Sequence, residues 1–177
     1  LGNEIHKRRD CVAVVFDLGA GTFDISIVKA SGNRFEVVAT GGEPQLGGTD
    51  FNQCAQDKAL EVAMTEEYRV PVREDDPLFF QNLQQQIEQL KISLSVQKQG
   101  QLAVACKGDL LTMTVTRDQF ESWIKGLVER AIDRTQKTLQ EAGLQWSDID
   151  EVYAVGGGSM VPLIKRRLEE ISGKKVS

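Results

Sequence analysis

Residues 11–17 read Cys-Val-Ala-Val-Val-Phe-Asp, and Gly19 and Gly21 then interrupt the run. Phe23, Ile25 and Ile27 follow, alternating with Asp24, Ser26 and Val28. A short valine-rich run reads as a buried strand, and an alternating one as a strand with two unlike faces. Ser31-Gly32-Asn33 is a turn signal, and residues 35–39, Phe-Glu-Val-Val-Ala, predict a third strand. Two hairpins in succession make an antiparallel meander, and the rest of the fold must be built against it.

The remainder alternates helical and extended patterns. Gly41-Gly42 through Leu46-Gly47-Gly48 predicts a glycine-rich link, with Thr49 or Asp50 capping the helix that follows. Phe51, Ala55, Ala59, Val62 and Ala63 recur at helical spacing until Val70-Pro71-Val72. Asp76-Pro77 is an N-cap followed by proline at N1, and Phe80, Leu83, Ile87, Leu90 and Leu94 make one apolar stripe behind it. Gly100 and Gly108-Asp109 bracket two strands, 102–106 and 110–115, read as a hairpin. Residues 118–142 predict the longest helix, ended by Gly143 in the C′ position that glycine favours. A strand at 151–155, the run Gly156-Gly157-Gly158 and a helix from Pro162 to Ile171 complete the chain. The chain is expected to leave one substructure near Gly47-Gly48 and return near Ile124, so that its middle is an insertion into a unit made of the two ends.

Composition narrows the function. The 177 residues carry a formal charge of −5, which argues mildly against a nucleic-acid or anionic-membrane surface. No stretch reaches the roughly 18 apolar residues of a membrane span, and no signal peptide is in view. Cys11, Cys54 and Cys106 are odd in number and widely spaced, which suits a reducing cytoplasm rather than a disulfide framework or a zinc motif. With His6 as the one histidine, His-based triads and multi-histidine metal sites are nearly excluded. The chain starts at Leu1 without a methionine and is expected to be a piece of something longer.

Three segments could carry chemistry. In Asp17-Leu18-Gly19-Ala20-Gly21-Thr22-Phe23-Asp24, glycines let backbone N–H groups approach phosphate oxygens, and carboxylates beside such a site suit Mg²⁺, usually through its waters. The same residues also suit a tight hairpin with polar caps. They form no dinucleotide fingerprint, since Asp24 stands at the third glycine, and no P-loop, since no Gly-Lys-Ser/Thr follows. Gly156-Gly157-Gly158-Ser159-Met160 joins a strand to a helix, where free N–H groups could meet a phosphate or a nucleoside; a plain turn is the alternative. Glu88, Lys91, Ile92 and Ser95 share a helix face apart from the apolar stripe. That face could hold a nucleoside with Ile92 against the base, although composition alone favours a solvated face with a Glu–Lys pair.

Together these segments resemble the ATPase domain of the seventy-kilodalton heat-shock chaperones, the DnaK-type family. Residues 14–24 resemble its second phosphate motif, Leu46-Gly47-Gly48-Thr49-Asp50-Phe51 the segment opening its outer subdomain, Glu88 to Ser95 its adenosine-binding helix, and residues 155–162 its adenosine motif. The resemblance covers essentially the whole chain. It implies an α/β, actin-like ATPase fold with a ribonuclease-H-like core. One lobe is expected here: an inner subdomain of residues 1–46 and 125–177, and an inserted α+β outer subdomain of residues 47–124.

The resemblance also implies ATP or ADP with Mg²⁺ as ligands. Asp17 and Asp24 would lie near Mg²⁺ and its waters, and Gly19, Ala20 and Gly21 would cradle phosphate. Thr22 would sit by the γ-phosphate. Glu88, Lys91, Ile92 and Ser95 would meet the adenosine, and Gly156, Gly157 and Met160 would line the other side. Three positions depart from the family pattern: Ala20 replaces a usual glycine, Met160 a general arginine over the adenine, and Thr49 a frequent glutamate. The implied partners are a first lobe and a peptide-binding domain of the same protein, a nucleotide-exchange factor on the outer subdomain, a J-domain co-chaperone and unfolded peptide clients. The competing readings are a small-molecule kinase or polyphosphatase, an actin-like filament protein, and a pseudo-ATPase scaffold.

Overall fold

The computed structural model describes residues 10–32, 34–66, 68–106 and 109–177. His6, Asn33 of the first turn signal and Gly108 of the hairpin bracket lie outside the described residues.

The meander forms as the periodicity requires. Strands β1 (Cys11–Leu18), β2 (Phe23–Ser31) and β3 (Arg34–Glu43) pair antiparallel in sequence order. Strand β6 (Glu151–Val155) joins the far side of β1 in parallel, so residues from both ends of the chain share one sheet, ordered β3-β2-β1-β6. In the β1–β2 register Val14 faces Ile27, Phe16 faces Ile25 and Leu18 faces Phe23. All six side chains are fully or almost fully buried. The intervening pair, Asp17 opposite Asp24, is exposed on the other face.

Two sequence expectations need correction here. Gly41-Gly42 is not a link but the continuation of β3, with Gly41 opposite Ile25 and Gly42 opposite Asp24. The physical reason is helix packing. A Cβ on Gly41 would lie 2.2 Å from Thr138 Oγ1 of helix α3 (Arg117–Glu141), so glycine lets that helix settle on the strand. Helix α1 (Gly48–Thr65) is capped at Gly47 rather than at Thr49 or Asp50. Asp50 acts from inside the first turn, its carboxylate accepting the Gly47 N–H at 2.7 Å.

The middle of the chain builds a second layer. Helix α1 buries Phe51, Ala55, Ala59 and Ala63. Helix α2 (Pro77–Val96) starts as its sequence dictates: the Asp76 carboxylate accepts from Phe79 N–H at 3.1 Å, with Pro77 in the first position. Its buried stripe packs on the hairpin of β4 (Gln99–Cys106) and β5 (Asp109–Thr116), whose Leu102, Val104, Leu111 and Val115 point inward. Thr116 caps α3 by accepting from Gln119 N–H at 3.1 Å. From there α3 runs past α1 to β3, and Gly143 ends it at φ 69°. The boundary expected between residues 124 and 125 falls within this helix. Helix α4 (Pro162–Ser172) is clamped to α3 by Arg166–Glu121 and by a two-pronged Arg167–Glu129 pair at 2.8 and 2.9 Å. The buried apolar residues of both layers form one continuous core.

Candidate functional site

The turn between β1 and β2 is the hub. Gly19 N–H donates to Thr22 O at 2.9 Å, which closes the loop. The start of α1 then docks on it: Gly48 N–H donates to Gly19 O at 2.9 Å and Thr49 N–H to Ala20 O at 2.7 Å. Helix α1 thereby satisfies N–H groups that every helix start leaves without an internal partner. A Cβ on Gly47 would lie 2.5 Å from Ala20 O, so this docking depends on glycine.

On the other side, Gly156 and Gly158 pack against Leu18. Gly156 has φ 86° and ψ 154°, a conformation essentially reserved for glycine, and a Cβ there would lie 2.4 Å from Leu18 O. A Cβ on Gly158 would lie 2.4 Å from Leu18 Cδ2. The sequence reading placed these glycines at a helix N-terminus. They lead instead into a 3-10 turn, Gly157–Met160, and α4 begins only at Pro162.

Three glycines are different. Gly21 and Gly157 would meet nothing within 4 Å if they carried a Cβ, and Gly19 would meet only ordinary contacts, the nearest at 3.5 Å. None of the three has a positive φ. Neither packing nor backbone conformation within the chain requires glycine at these points. At Gly21 and Gly157 this leaves exposed backbone, the condition for close approach of a ligand, whereas the N–H and carbonyl of the half-buried Gly19 are already taken by Thr22 and Gly48.

Helix α2 supplies side chains. Lys91 Nζ donates to Gly48 O at 3.1 Å, tying α2 to the first turn of α1. Burial of Lys91 pushes its pKa below the ordinary value, with the Glu88 carboxylate acting in the opposite sense. Ile92 is exposed beside it.

These parts meet in an open cleft of about 270 Å³ lined by Gly19 and Ala20 of the turn, Gly48, Thr49 and Asn52 of α1, Glu88, Lys91 and Ile92 of α2, and Gly157 and Gly158. Asp17, Gly21, Thr22 and Asp24 belong to the same turn and strand ends and are exposed, without lining the cleft itself. Ser95 lies one helical turn beyond Lys91, its hydroxyl donating to Lys91 O at 3.2 Å, and Met160 is exposed outside the cleft. Gly156 is exposed, packs against Leu18 and Asp17, and does not line the cleft.

Sequence reasoning gave Gly48, Thr49 and Asn52 no contact with a ligand, although they line the cleft, and Gly158 lines it as part of the glycine run already singled out. The signal for Asn52 was present: it falls in the first turns of a helix whose N-terminus docks on the glycine turn. A larger cavity of about 420 Å³ lies between Tyr68, Val70, Phe79, Cys106 and Leu111, but its lining is mainly apolar and includes none of the three motifs.

Asp17 and Asp24 stand directly opposite each other on one sheet face. Like charges in that arrangement destabilise a strand pair, and a cation between them relieves this. No group of three or more metal-ligating His, Cys, Asp or Glu side chains occurs among the described residues. Two carboxylates therefore fit a hard cation that keeps most of its waters, as Mg²⁺ does.

A mixed α/β lobe of this kind, with a glycine turn at the end of paired strands and a helix face closing on it, is consistent with the actin-like ATPase fold of a chaperone nucleotide-binding domain. The family model described as Hsp70 protein matches residues 3–177, and the chain belongs to that family. The family supports a chaperone ATPase-domain role and implies ATPase activity in the parent protein, with ATP or ADP and Mg²⁺ as its general ligands. It implies co-chaperone and client interactions in general terms. Among the described residues, no helix is long and apolar enough to cross a membrane.

Proposed function

We propose that this chain is the second lobe of an Hsp70 ATPase cleft, and that it holds the adenosine and phosphates of ATP or ADP with Mg²⁺. One observation carries the reading: four segments far apart in sequence converge on one cleft, and two of the glycines lining it, Gly19 and Gly157, are not required by packing or backbone conformation within the chain. In this reading Gly19, Ala20 and Gly21 present backbone to phosphate, and Thr22 stands by the γ-phosphate. Asp17 and Asp24 hold Mg²⁺ through its waters. Glu88, Lys91 and Ser95 contact the adenosine, Ile92 packs on the base, and Gly156, Gly157 and Met160 line the opposite side. The metal supplies charge neutralisation at the phosphates.

Residues 1–46 and 125–177 then make the inner subdomain and residues 47–124 the outer one. Hydrolysis relies on positioning and charge stabilisation from both sides of such a cleft, so the first lobe completes it. In the intact protein the cycle switches peptide affinity by domain rearrangement, in the cytoplasm, with a nucleotide-exchange factor on the outer subdomain and a J-domain protein as partners.

Calorimetric titration of MgATP into the full-length protein tests this. Tight, Mg²⁺-dependent binding is expected there, with weak binding and negligible turnover by the 177-residue chain alone. Absence of binding by the full-length protein would favour a pseudo-ATPase scaffold. Turnover by the purified chain would overturn the one-lobe reading.

A further inference from the structure

The cavity of about 420 Å³ in the helix–hairpin layer shares no residue with the cleft. Its walls come from residues 68–71 after α1, from Phe79 in the first turn of α2, and from Cys106 and Leu111 of the β4–β5 hairpin. Phe79 and Leu111 are 2% and 3% exposed, so that part of the wall belongs to the core. The segment 68–71 is fixed without filling the space. Tyr68 N–H donates to Ala63 O at 3.0 Å and Val70 N–H to Tyr68 O at 3.1 Å, and Pro71 then restricts the backbone. The Cys106 thiol donates to Arg69 O at 3.8 Å, a long contact between hairpin and segment. Protein interiors normally close such a space with side chains, because walls without partner atoms forfeit dispersion contacts. A cavity of this size falls in the range of small-molecule sites.

The walls define what fits. Tyr68 and Phe79 bring aromatic rings, and Val70, Pro71 and Leu111 aliphatic surface. Arg69 is the one lining residue with a formal charge. The other arginine of this stretch, Arg73, is occupied, its guanidinium stacked over the Phe80 ring at 4.7 Å from the centroid. Arg69 is exposed, and among the described residues no ion pair or ring contact engages its guanidinium. No Asp or Glu lines the cavity, and the Asp76 carboxylate already accepts from Phe79 N–H at 3.1 Å. A ring gains offset or edge contacts from the two aromatic walls. A carboxylate matches the planar fork of a guanidinium.

We propose that this cavity binds a small aromatic carboxylate, its ring against Tyr68 and Phe79 and its carboxylate on the Arg69 guanidinium. The site is separate from the nucleotide cleft and stands or falls independently of it.

Cys106 makes the test specific to the place. Its thiol is half-buried in the cavity wall, and Cys11 and Cys54 are free thiols elsewhere in the chain. Alkylation of the full-length protein by iodoacetamide, followed peptide by peptide in mass spectrometry, reads all three. 2-Naphthoate should slow alkylation of Cys106 saturably and leave Cys11 and Cys54 unchanged. 2-Naphthylmethanol has the ring without the charge, and octanoate the charge without the ring. Each should need about tenfold more to protect, the loss expected for one missing charged or aromatic contact. Arg69→Gln alters an exposed side chain and should unfold at the wild-type temperature. It should need about tenfold more 2-naphthoate while its response to the alcohol stays as in the wild type. Failure of 2-naphthoate to protect Cys106, or equal protection of all three thiols, would overturn the site. Equal potency of the acid and the alcohol, or an unchanged response of Arg69→Gln, would overturn the role of the charge, and equal potency of octanoate that of the ring.

Discussion

The four-stranded sheet and the helix–hairpin layer contribute to the cleft in opposite ways. The sheet side offers backbone: Gly19, Ala20 and Gly157 line the cleft, and their surroundings are held by strand pairing and by Leu18 wedged against Gly156 and Gly158. The helix–hairpin side offers side chains: Asn52, Glu88, Lys91 and Ile92 project from α1 and α2. A strand end reaches a ligand only through a turn, where side chains obstruct, whereas a helix presents a column of side chains every three or four residues. Damage to the first side should therefore act through glycines, and damage to the second through individual side chains.

The largest expected effects ask whether the two sides are separate at all. Their buried residues form one cluster, and α3 spans both. Phe16, fully buried with its ring centroid 4.5 Å from that of Phe23, represents the sheet; Leu90, 3% exposed, represents α2. Phe16→Ala should cost about 3–5 kcal/mol and Leu90→Ala about 2–5 kcal/mol. In urea unfolding followed by circular dichroism, both should shift the same single transition. Two transitions, each moved by one substitution, would show that the layers fold independently.

A middle-sized effect separates structural glycine from open glycine. Gly156→Ala forces a side chain into a glycine-only conformation against Leu18 O and should destabilise by about 1–3 kcal/mol. Gly157→Ala, next in sequence, has open space and should stay within about 0.5 kcal/mol of the wild type while weakening MgATP binding. Thermal melts and calorimetry on the pair measure both. Equal destabilisation by the two substitutions would remove the distinction on which the sheet side's role rests.

The smallest effect belongs to the helix side. The native Lys91 gives up its proton below the ordinary value of 10.5, whereas the unfolded chain keeps it up to there. Across that window the unfolded state binds more protons, so this group makes stability rise with pH. Lys91→Met should remove the rise, leaving a flatter stability profile as pH climbs towards 10.5 in chemical denaturation. An unchanged profile would place the ammonium in water rather than against Gly48.

Much of the architecture was legible in the sequence because its signals are local. The valine run, the alternation after Gly21, the Asp76-Pro77 start and the Gly143 stop each follow from a few neighbouring residues, and each element formed there. The misreadings arose where a distant element decides. Gly41 reads as a loop residue until Thr138 of α3 lies over it. Gly47 reads as a link until the turn at Ala20 presses on it. Asn52 reads as one more polar residue on a helix until Gly48, Lys91 and the glycine turn close around it.

The sequence by itself determined the strands, the helices, the apolar faces and three segments fit for phosphate or nucleoside, because periodicity and capping act over a few residues. Only the tertiary structure decided which of the fourteen described glycines face open space and which are held by packing. It also decided that α1 would spend its first N–H groups on the turn rather than on a ligand, and that Asn52 would stand in the cleft wall with an unmet acceptor. Those outcomes depend on how close two backbones come, and that distance is set by the whole core at once.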